Sequence, residues 1–258
     1  MLTKKNPFPI LNDFLVAVSF LTILPVSIDV TEKKNALARA MIFFPLVGLG
    51  IAGISFGLVH LFEPFLSERL SNLLLVLIPI VLSGGLHTDG LSDFFDGFFQ
   101  GKNRDDILRV MKDSRIGVWG TLSIIFFVLI KWELLMILPL KGKIFLLAMT
   151  LSRWSHVFLS YLQPYARSEG GLGESVAKKV GAREIIGASI FTLLAAFLLG
   201  WKGLCEFLGI FLFVLWMGHF CQKKIGGITG DTIGATGEMS EIISYILFLV
   251  ITKLSPVF

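Results

Sequence analysis

Charge is what this chain has least of. Only 16% of its 258 residues are Asp, Glu, Lys or Arg and 54% are hydrophobic, whereas a soluble domain carries about 25% charged residues. That balance excludes an ordinary soluble fold and points to an integral membrane protein. Cysteine is scarce as well. Cys205 and Cys221 lie at or near opposite ends of one apolar run, so they build neither a disulfide framework nor, by themselves, a zinc site. No patch interleaves basic with aromatic residues, which argues against nucleic-acid binding. The net charge of +4 is the kind of excess that topology produces in membrane proteins. There is no internal repeat, no low-complexity tract and no room for a separate soluble domain, so residues 1–258 read as one membrane domain.

What is present is a series of apolar runs, at about 10–28, 40–62, 70–86, 116–140, 144–162, 184–201, 203–220 and 242–252. A helix needs about 20 apolar residues to cross the hydrocarbon. The first run is interrupted by Asn12, Asp13, Ser19 and Pro25. Lys4 and Lys5 precede it as in a signal peptide, but no small-residue cleavage site follows Ile28, so it is read as part of the mature protein. If this run lies in the interface or re-enters, the segments 1–39, 87–115, 163–183 and 221–241 fall on one side with sixteen Lys and Arg. The opposite side then holds five. The positive-inside rule favours that arrangement. The expected fold is therefore all-α: a polytopic bundle of about six transmembrane helices plus an N-terminal interfacial or re-entrant segment, in a cytoplasmic membrane. Gly53 with Gly57, and Gly226, Gly230 and Gly234, have the spacing of helix contacts; Pro45 and Pro79 are expected to kink their helices.

The stretch from Gly84 to Gly120 holds Asp89, Asp93, Asp96, Asp105, Asp106 and Asp113, six of nineteen acidic residues. On a helix, Asp89, Asp93 and Asp96 fall within about 60° of one another. Three carboxylates on one face repel unless a cation sits between them, and Mg²⁺ or Mn²⁺ takes such oxygens and shares them with substrate phosphates. A solvated acidic face is the plain alternative; Phe94, Phe95, Phe98, Phe99 and the close-approach residues Gly90 and Gly97 speak against it. Lys112, Asp113 and Arg115 follow. Lys112 suits a helix-end anchor, and Arg115 a two-pronged phosphate contact.

Four further features stand out. Arg153 lies eight to nine residues from the end of its run at Tyr161, too deep to snorkel easily, and so is expected to face a cavity and meet a phosphate or a carboxylate. His156 reads as a satisfied interior histidine, and Lys131, beside Trp132 and Glu133, as an outer interfacial anchor. In 163–183, Tyr165 and Arg167 are placed to stack on and pair with a nucleotide, and the glycines at 170, 171 and 173 suggest a lid. In 226–241, Asp231 sits among glycines and Glu238 follows on the same helix face; a second set of carboxylates there could complete a metal site from across the bundle.

These residues carry a resemblance. HTDGLSDFFDGFF, RDDILRVMKDSRIGVWG and GGITGDTIGATGEMSE, with FLVAVSFLTILPV at the N-terminus and SRW…LQPYARSEGGLG in the middle, resemble the cobalamin synthase family over nearly the whole chain. His219 and the run around it match no pattern of that family. The resemblance implies transfer of the adenosylcobinamide-phosphate group from adenosylcobinamide-GDP to the ribose hydroxyl of α-ribazole, or of its 5′-phosphate, with loss of GMP. It implies Mg²⁺, with Mn²⁺ as substitute, on Asp89, Asp93, Asp96 and Asp231, in a site facing the cytoplasm. Asp113 or a member of the Asp triad would take the hydroxyl proton. Arg115, Arg153 and Arg167 would hold phosphates; Lys112, Tyr165 and Glu238 join the substrate-binding set. Oligomeric state is open. CDP-alcohol phosphotransferases share the chemistry but match DGLSDFFDG only loosely and have an Ala-Arg element absent here. A cation transporter would instead carry its acids near the middle of its spans.

Overall fold

The computed structural model describes residues 9–26, 33–167 and 180–254, and among them the helices account for nearly everything. In chain order they are α1 (Pro9–Leu21), α2 (Lys33–Ala40), α3 (Phe44–Phe62), α4 (Glu68–Leu82), α5 (Leu86–Gln100), α6 (Arg104–Val110), α7 (Val118–Ile137), α8 (Lys141–Leu162), α9 (Ala182–Phe197), α10 (Gly200–Ile225) and α11 (Gly230–Leu254). The bundle is built around α8, which is buried almost continuously from Ile144 to Ser160 and packs against α3, α9, α10 and α11. On the other flank α5 lies against α11 and α7.

Among the described residues four segments are long and apolar enough to cross a membrane: Ala36–Phe65, Val118–Ile137, Gly200–Ile225 and Gly230–Leu254. The pair α4–α5, bent by 91°, makes a fifth if it is counted as one span. The polytopic helical bundle expected is thus present, with four or five such spans where about six were expected. α9 has sixteen residues, and α8 carries Arg153, His156 and several hydroxyls through its centre, as an enclosed helix can. α1 has thirteen residues, about 20 Å at 1.5 Å per residue, short of a hydrocarbon core of about 30 Å. Its polar interruption has a partner: Arg39 Nε meets Asp13 Oδ2 at 3.1 Å, tying α1 to α2.

Local chemistry sets the joints. Gly84 and Gly85 are both left-handed, at φ 60° and 72°, a conformation glycine adopts without steric cost; they turn the chain sharply between α4 and α5. Beside that turn Ile23 N–H donates to Leu82 O at 2.8 Å, which seats the end of α1 there. Ser67 caps α4 and Asn103 caps α6 with side-chain oxygens. Pro79 stands inside α4, but Pro45 occupies the first turn of α3, where proline needs no kink. The glycine expectations divide likewise. A methyl group on Gly53, Gly57 or Gly230 would meet nothing within 4 Å, and Gly226 is the left-handed cap of α10. Gly234 alone of those five packs a helix closely: a methyl there would lie 3.2 Å from His87 Cα.

Candidate active site

The acidic helix predicted from the spacing of Asp89, Asp93 and Asp96 is α5, and it crosses the N-terminal turns of α11. The crossing is close because both faces are glycine. A methyl on Gly90 would stand 3.1 Å from both Cα and O of Asp231. Contact at that range brings Asp231 to the acidic helix across 141 residues of sequence. Asp93 feels the charges of Asp231, Asp89, Asp96 and Arg167. Asp89 is exposed, Asp93 and Asp231 are half-buried, and Arg167 Nη2 pairs with Asp231 Oδ2 at 2.9 Å. Thr229 Oγ1 adds a hydrogen bond to the same oxygen at 3.2 Å.

A loop-to-loop clamp holds Arg167 in place. Ala166 N–H donates to Ile228 O at 2.8 Å and Ile228 N–H to Pro164 O at 2.9 Å, so the backbone around Tyr165 runs beside the turn before α11. Gly227, with φ 151°, has no room for a side chain there, because a methyl would run into Pro164 O. Arg104 then spans both strands of this junction, giving Nε to Ile225 O at 2.9 Å and Nη2 to Ala166 O at 2.8 Å. In sequence Arg104 looks like one more cation of a solvated loop. The signals it offers are its place beside Asn103, the α6 cap, and at the head of the motif RDDILRVMKDSRIGVWG. Tyr165 itself is half-buried and joins this junction through its backbone. The glycines at 170, 171 and 173 lie outside the described residues.

The remaining candidates are placed differently from expectation. Asp96 is buried and points at the start of α7. It accepts from Gly117 N–H at 2.6 Å, Gly120 N–H at 2.9 Å and Gln100 Nε2 at 2.7 Å. Those bonds use three of the roughly four acceptor positions of a carboxylate, and the negative charge faces the positive end of the α7 dipole. Asp96 therefore fixes α7 against α5. Asp113 and Arg115 pair with each other on the exposed turn before α7, at 2.7 Å between Nη2 and Oδ2. The guanidinium, by hydrogen bonding and charge, holds the Asp113 carboxyl at about 2, which makes it a poor proton acceptor near neutrality. Lys112 is exposed on the same turn.

Deeper in the bundle, Lys131 corrects the reading of an interfacial anchor. It is 5% exposed and gives its ammonium to Glu238 Oε2 at 2.6 Å and Glu241 Oε2 at 2.5 Å. Trp132, its neighbour, donates instead to Arg69 O. Arg153 turns inward as expected and its Nη1 meets a carboxylate, Glu241 Oε1, at 3.4 Å, and Ser152 Oγ at 2.7 Å. The cavity it lines with Lys131, Glu238 and Glu241 is about 10 Å³, the size of one water, and there both Arg153 and Glu238 are engaged in ion pairs. Glu206, bonded to Ser244 Oγ, is a further buried acid within a span. The acids thus do not all gather at one membrane edge, yet Glu238 and Glu241 are matched by two cations, as an ion path would not require.

A second cavity, of about 200 Å³, opens beside Asp89 and Asp231. Two histidines line it. His87 and His156 stack at 4.7 Å between ring centroids with 26° between planes, and both are buried. His156 is not the satisfied interior histidine expected: its Nε2 and the Nδ1 of His87 lack hydrogen-bond partners among the described residues.

Among the described residues no three Asp, Glu, His or Cys side chains are gathered tightly enough to hold a metal ion by themselves. The donor set nonetheless suits a hard cation: oxygen ligands only, more acid than base, and open on one side. Mg²⁺ is commonly held by one or two carboxylates together with water and substrate phosphates, and Asp89, Asp93 and Asp231 fit that pattern.

A profile of the family described as cobalamin-5-phosphate synthase matches residues 13–249. The chain belongs to that family. It is 34% identical to the adenosylcobinamide-GDP ribazoletransferase of Clostridium kluyveri over 248 residues, covering 94% of this chain and 98% of the relative. It is 36% identical to the protein of that name from Desulforamulus reducens over 240 residues, 92% and 94% of the two chains. The Caldanaerobacter subterraneus protein of the same name is 34% identical over 247 residues. No solved structure matches.

Proposed function

We propose that the chain is an adenosylcobinamide-GDP ribazoletransferase. It moves the adenosylcobinamide-phosphate group from adenosylcobinamide-GDP to the ribose hydroxyl of α-ribazole, or of α-ribazole 5′-phosphate, and releases GMP. The observation that carries this reading is the meeting of α5 with α11, which sets Asp89 and Asp93 beside Asp231 and Arg167 in a family whose relatives bear that name.

The donor's reacting centre is a diphosphate, and the acceptor is a hydroxyl. The displacement therefore needs the diphosphate charge neutralised, the hydroxyl held in line and its proton accepted. Bound Mg²⁺ or Mn²⁺, held by Asp89, Asp93 and Asp231 with the phosphates, supplies the first of these. Arg167 is tethered by the clamp of Arg104 and lies within reach of the same phosphates once it leaves Asp231. Asp93, between the other acids, is the candidate proton acceptor. Asp96 acts at one remove, since it fastens α7 to the helix that carries the ligands. Exposed Arg115 and Lys112 supply cations on the turn before α7 where a large anionic donor can meet them. The side with sixteen Lys and Arg faces the cytoplasm of a prokaryotic inner membrane in this reading, so that nucleotide substrates reach the site directly.

The test is product analysis. Purified protein with adenosylcobinamide-GDP, α-ribazole and Mg²⁺ is expected to form adenosylcobalamin and GMP in equal amounts, and to stop in EDTA. Absence of GMP release with intact, folded protein would overturn the assignment.

A further inference from the structure

We propose that the 200 Å³ cavity beside Asp89 and Asp231 seats the base of the acceptor nucleoside, a fused apolar bicycle, between aromatic and imidazole walls. The inference rests on the reaction just assigned, and deepens it by placing one substrate.

Four ring systems come to this site in that reaction: the corrin macrocycle, the adenine of its adenosyl ligand, guanine and the benzimidazole of α-ribazole. Size removes the first. An apolar cavity of about 150 Å³ takes a benzene ring, so one of about 200 Å³ admits a fused bicycle and no macrocycle. Chemistry separates the other three. Both purines carry several donors and acceptors along their edges and lose affinity wherever these go unpaired. The walls here include Phe20, Met41, Phe44 and Ile233, which pair with none of them. Phe20 and Phe44 stack at 5.8 Å with 15° between planes, so their rings share nearly one orientation, to which an apolar bicycle can lie parallel.

The imidazole pair matches the one polar feature of such a base. A benzimidazole nucleoside keeps a single free ring nitrogen, an acceptor of one hydrogen bond. His87 lines the cavity, is buried, and has a ring nitrogen with no partner among the described residues. An imidazole N–H there pairs with that acceptor and at the same time satisfies a buried group that otherwise stays unpaired. With the base so seated, the attached ribose lies toward Asp89 and Asp231, which line the same cavity. The hydroxyl that must attack is thereby delivered to the carboxylates. The placement also gives α1 a task. Too short to span, it contributes Phe20 to the cavity and is pinned at its end by the Ile23–Leu82 hydrogen bond.

The experiment titrates benzimidazole, α-ribazole and GMP separately into the full chain in lipid nanodiscs, following the intrinsic fluorescence of the first two. Saturable binding of benzimidazole is expected in wild type. Phe20→Ala should weaken α-ribazole by about tenfold or more, some 1.4 kcal/mol per decade, and Ile233→Trp, which fills the space from a half-buried position, should abolish it. GMP affinity should stay unchanged in both. His87→Phe should weaken α-ribazole while leaving indane, the same shape without the nitrogen, bound as before. Melting curves run beside each variant. If both filling and truncating variants fold and leave α-ribazole affinity and KM unmoved, or weaken GMP instead, the site is wrong although the reaction stands. If benzimidazole binds as described and no GMP is ever released from the donor, the reaction is wrong although the site stands.

Discussion

Two groups of charged side chains meet at α11, one around Asp231 at its start and one around Glu238 and Glu241 further along, and they differ in a way that separates architecture from chemistry. Lys131, Arg153, Glu238 and Glu241 form a closed set of two cations and two anions, with contacts from 2.5 to 3.4 Å and space for one water. Asp89, Asp93 and Asp231 are three acids near one cation, Arg167, which pairs with Asp231, and Asp89 and Asp231 line a cavity twenty times larger. A balanced, bonded group in a low-dielectric interior has nothing left to offer a substrate, and its loss is felt as loss of structure. An unbalanced group at the end of a bundle is the one that a cation and an anionic substrate can complete. Residue type does not distinguish the two, since both consist of acids and bases; the surplus of negative charge does.

The largest effect that tests this contrast is structural. Lys131→Met leaves Glu238 and Glu241 buried without their shared cation, and removal of one partner from a buried pair costs about 3–5 kcal/mol. The variant is expected to lose many degrees of thermal stability, and the folded fraction to retain the metal response of wild type. A Lys131→Met protein that melts normally but has lost its Mg²⁺ dependence would move the balanced group into the active site and erase the comparison.

The opposite result is expected in the unbalanced group. Asp93→Asn should lose at least about 100-fold in turnover, about 2.7 kcal/mol of transition-state stabilisation, with little change in melting. Asp231→Asn should also abolish transfer and weaken metal binding while the protein inserts and purifies normally. If Asp231 serves only as the partner of Arg167, the same change lowers stability and activity falls in proportion. Metal-dependent activity measured beside a melting curve for the one variant decides between these outcomes, and full activity in EDTA would remove the metal altogether.

Both groups were unequally visible in the amino-acid sequence, for a physical reason. The α5 acids repeat at helical spacing within eight residues, so their common face follows from 100° per residue. Their partner Asp231 stood out by its glycine neighbours. Lys131 lies 107 residues from Glu238 and 110 from Glu241, and beside Trp132 and Glu133 it has the company of an interfacial anchor; only packing reveals that α7 turns it inward. Asp96 shares the acidic face, and nothing local says that its oxygens belong to the α7 amides. Gly53 and Gly57 have the same spacing as true contact glycines yet face open space, because spacing names a face without naming what lies against it. Of the two histidines only His156 stood out in the sequence, and nothing local pairs it with His87, which reaches it from another helix.

A middle-sized effect is expected at Arg104. Its guanidinium ties Ile225 O to Ala166 O, and Ala166 precedes Arg167. Arg104→Ala removes two charge-assisted bonds, each worth about 1.5–3 kcal/mol, from a joint that positions a phosphate contact. We expect kcat to fall by about tenfold with KM for α-ribazole unchanged, and Arg104→Lys to recover only part, since one ammonium cannot reproduce the two-pronged geometry. Equal loss in kcat and in the folded fraction would make Arg104 a stabilising residue and nothing more.

The smallest effect is expected at Asp113, and it sharpens the comparison from outside both groups. Asp113 and Arg115 are balanced like the buried set but exposed like the open one. Arg115 lowers the Asp113 carboxyl from 3.8 to about 2, so in the folded protein it is ionised throughout the neutral range. The sign follows from that depression: the pair favours the folded state above the unfolded value near 3.8, and this contribution fades as the pH falls through 2. No change near neutrality should come from its titration. A general base contributes about 100- to 10,000-fold, and an exposed pair far less. Asp113→Asn is therefore expected to leave turnover within about threefold of wild type and to leave the acid limb of the pH–rate profile where it was. If instead the limb disappears and turnover drops by about 100-fold or more, Asp113 is the proton acceptor after all. Charge balance in the resting structure would then be no guide to which carboxylates take part.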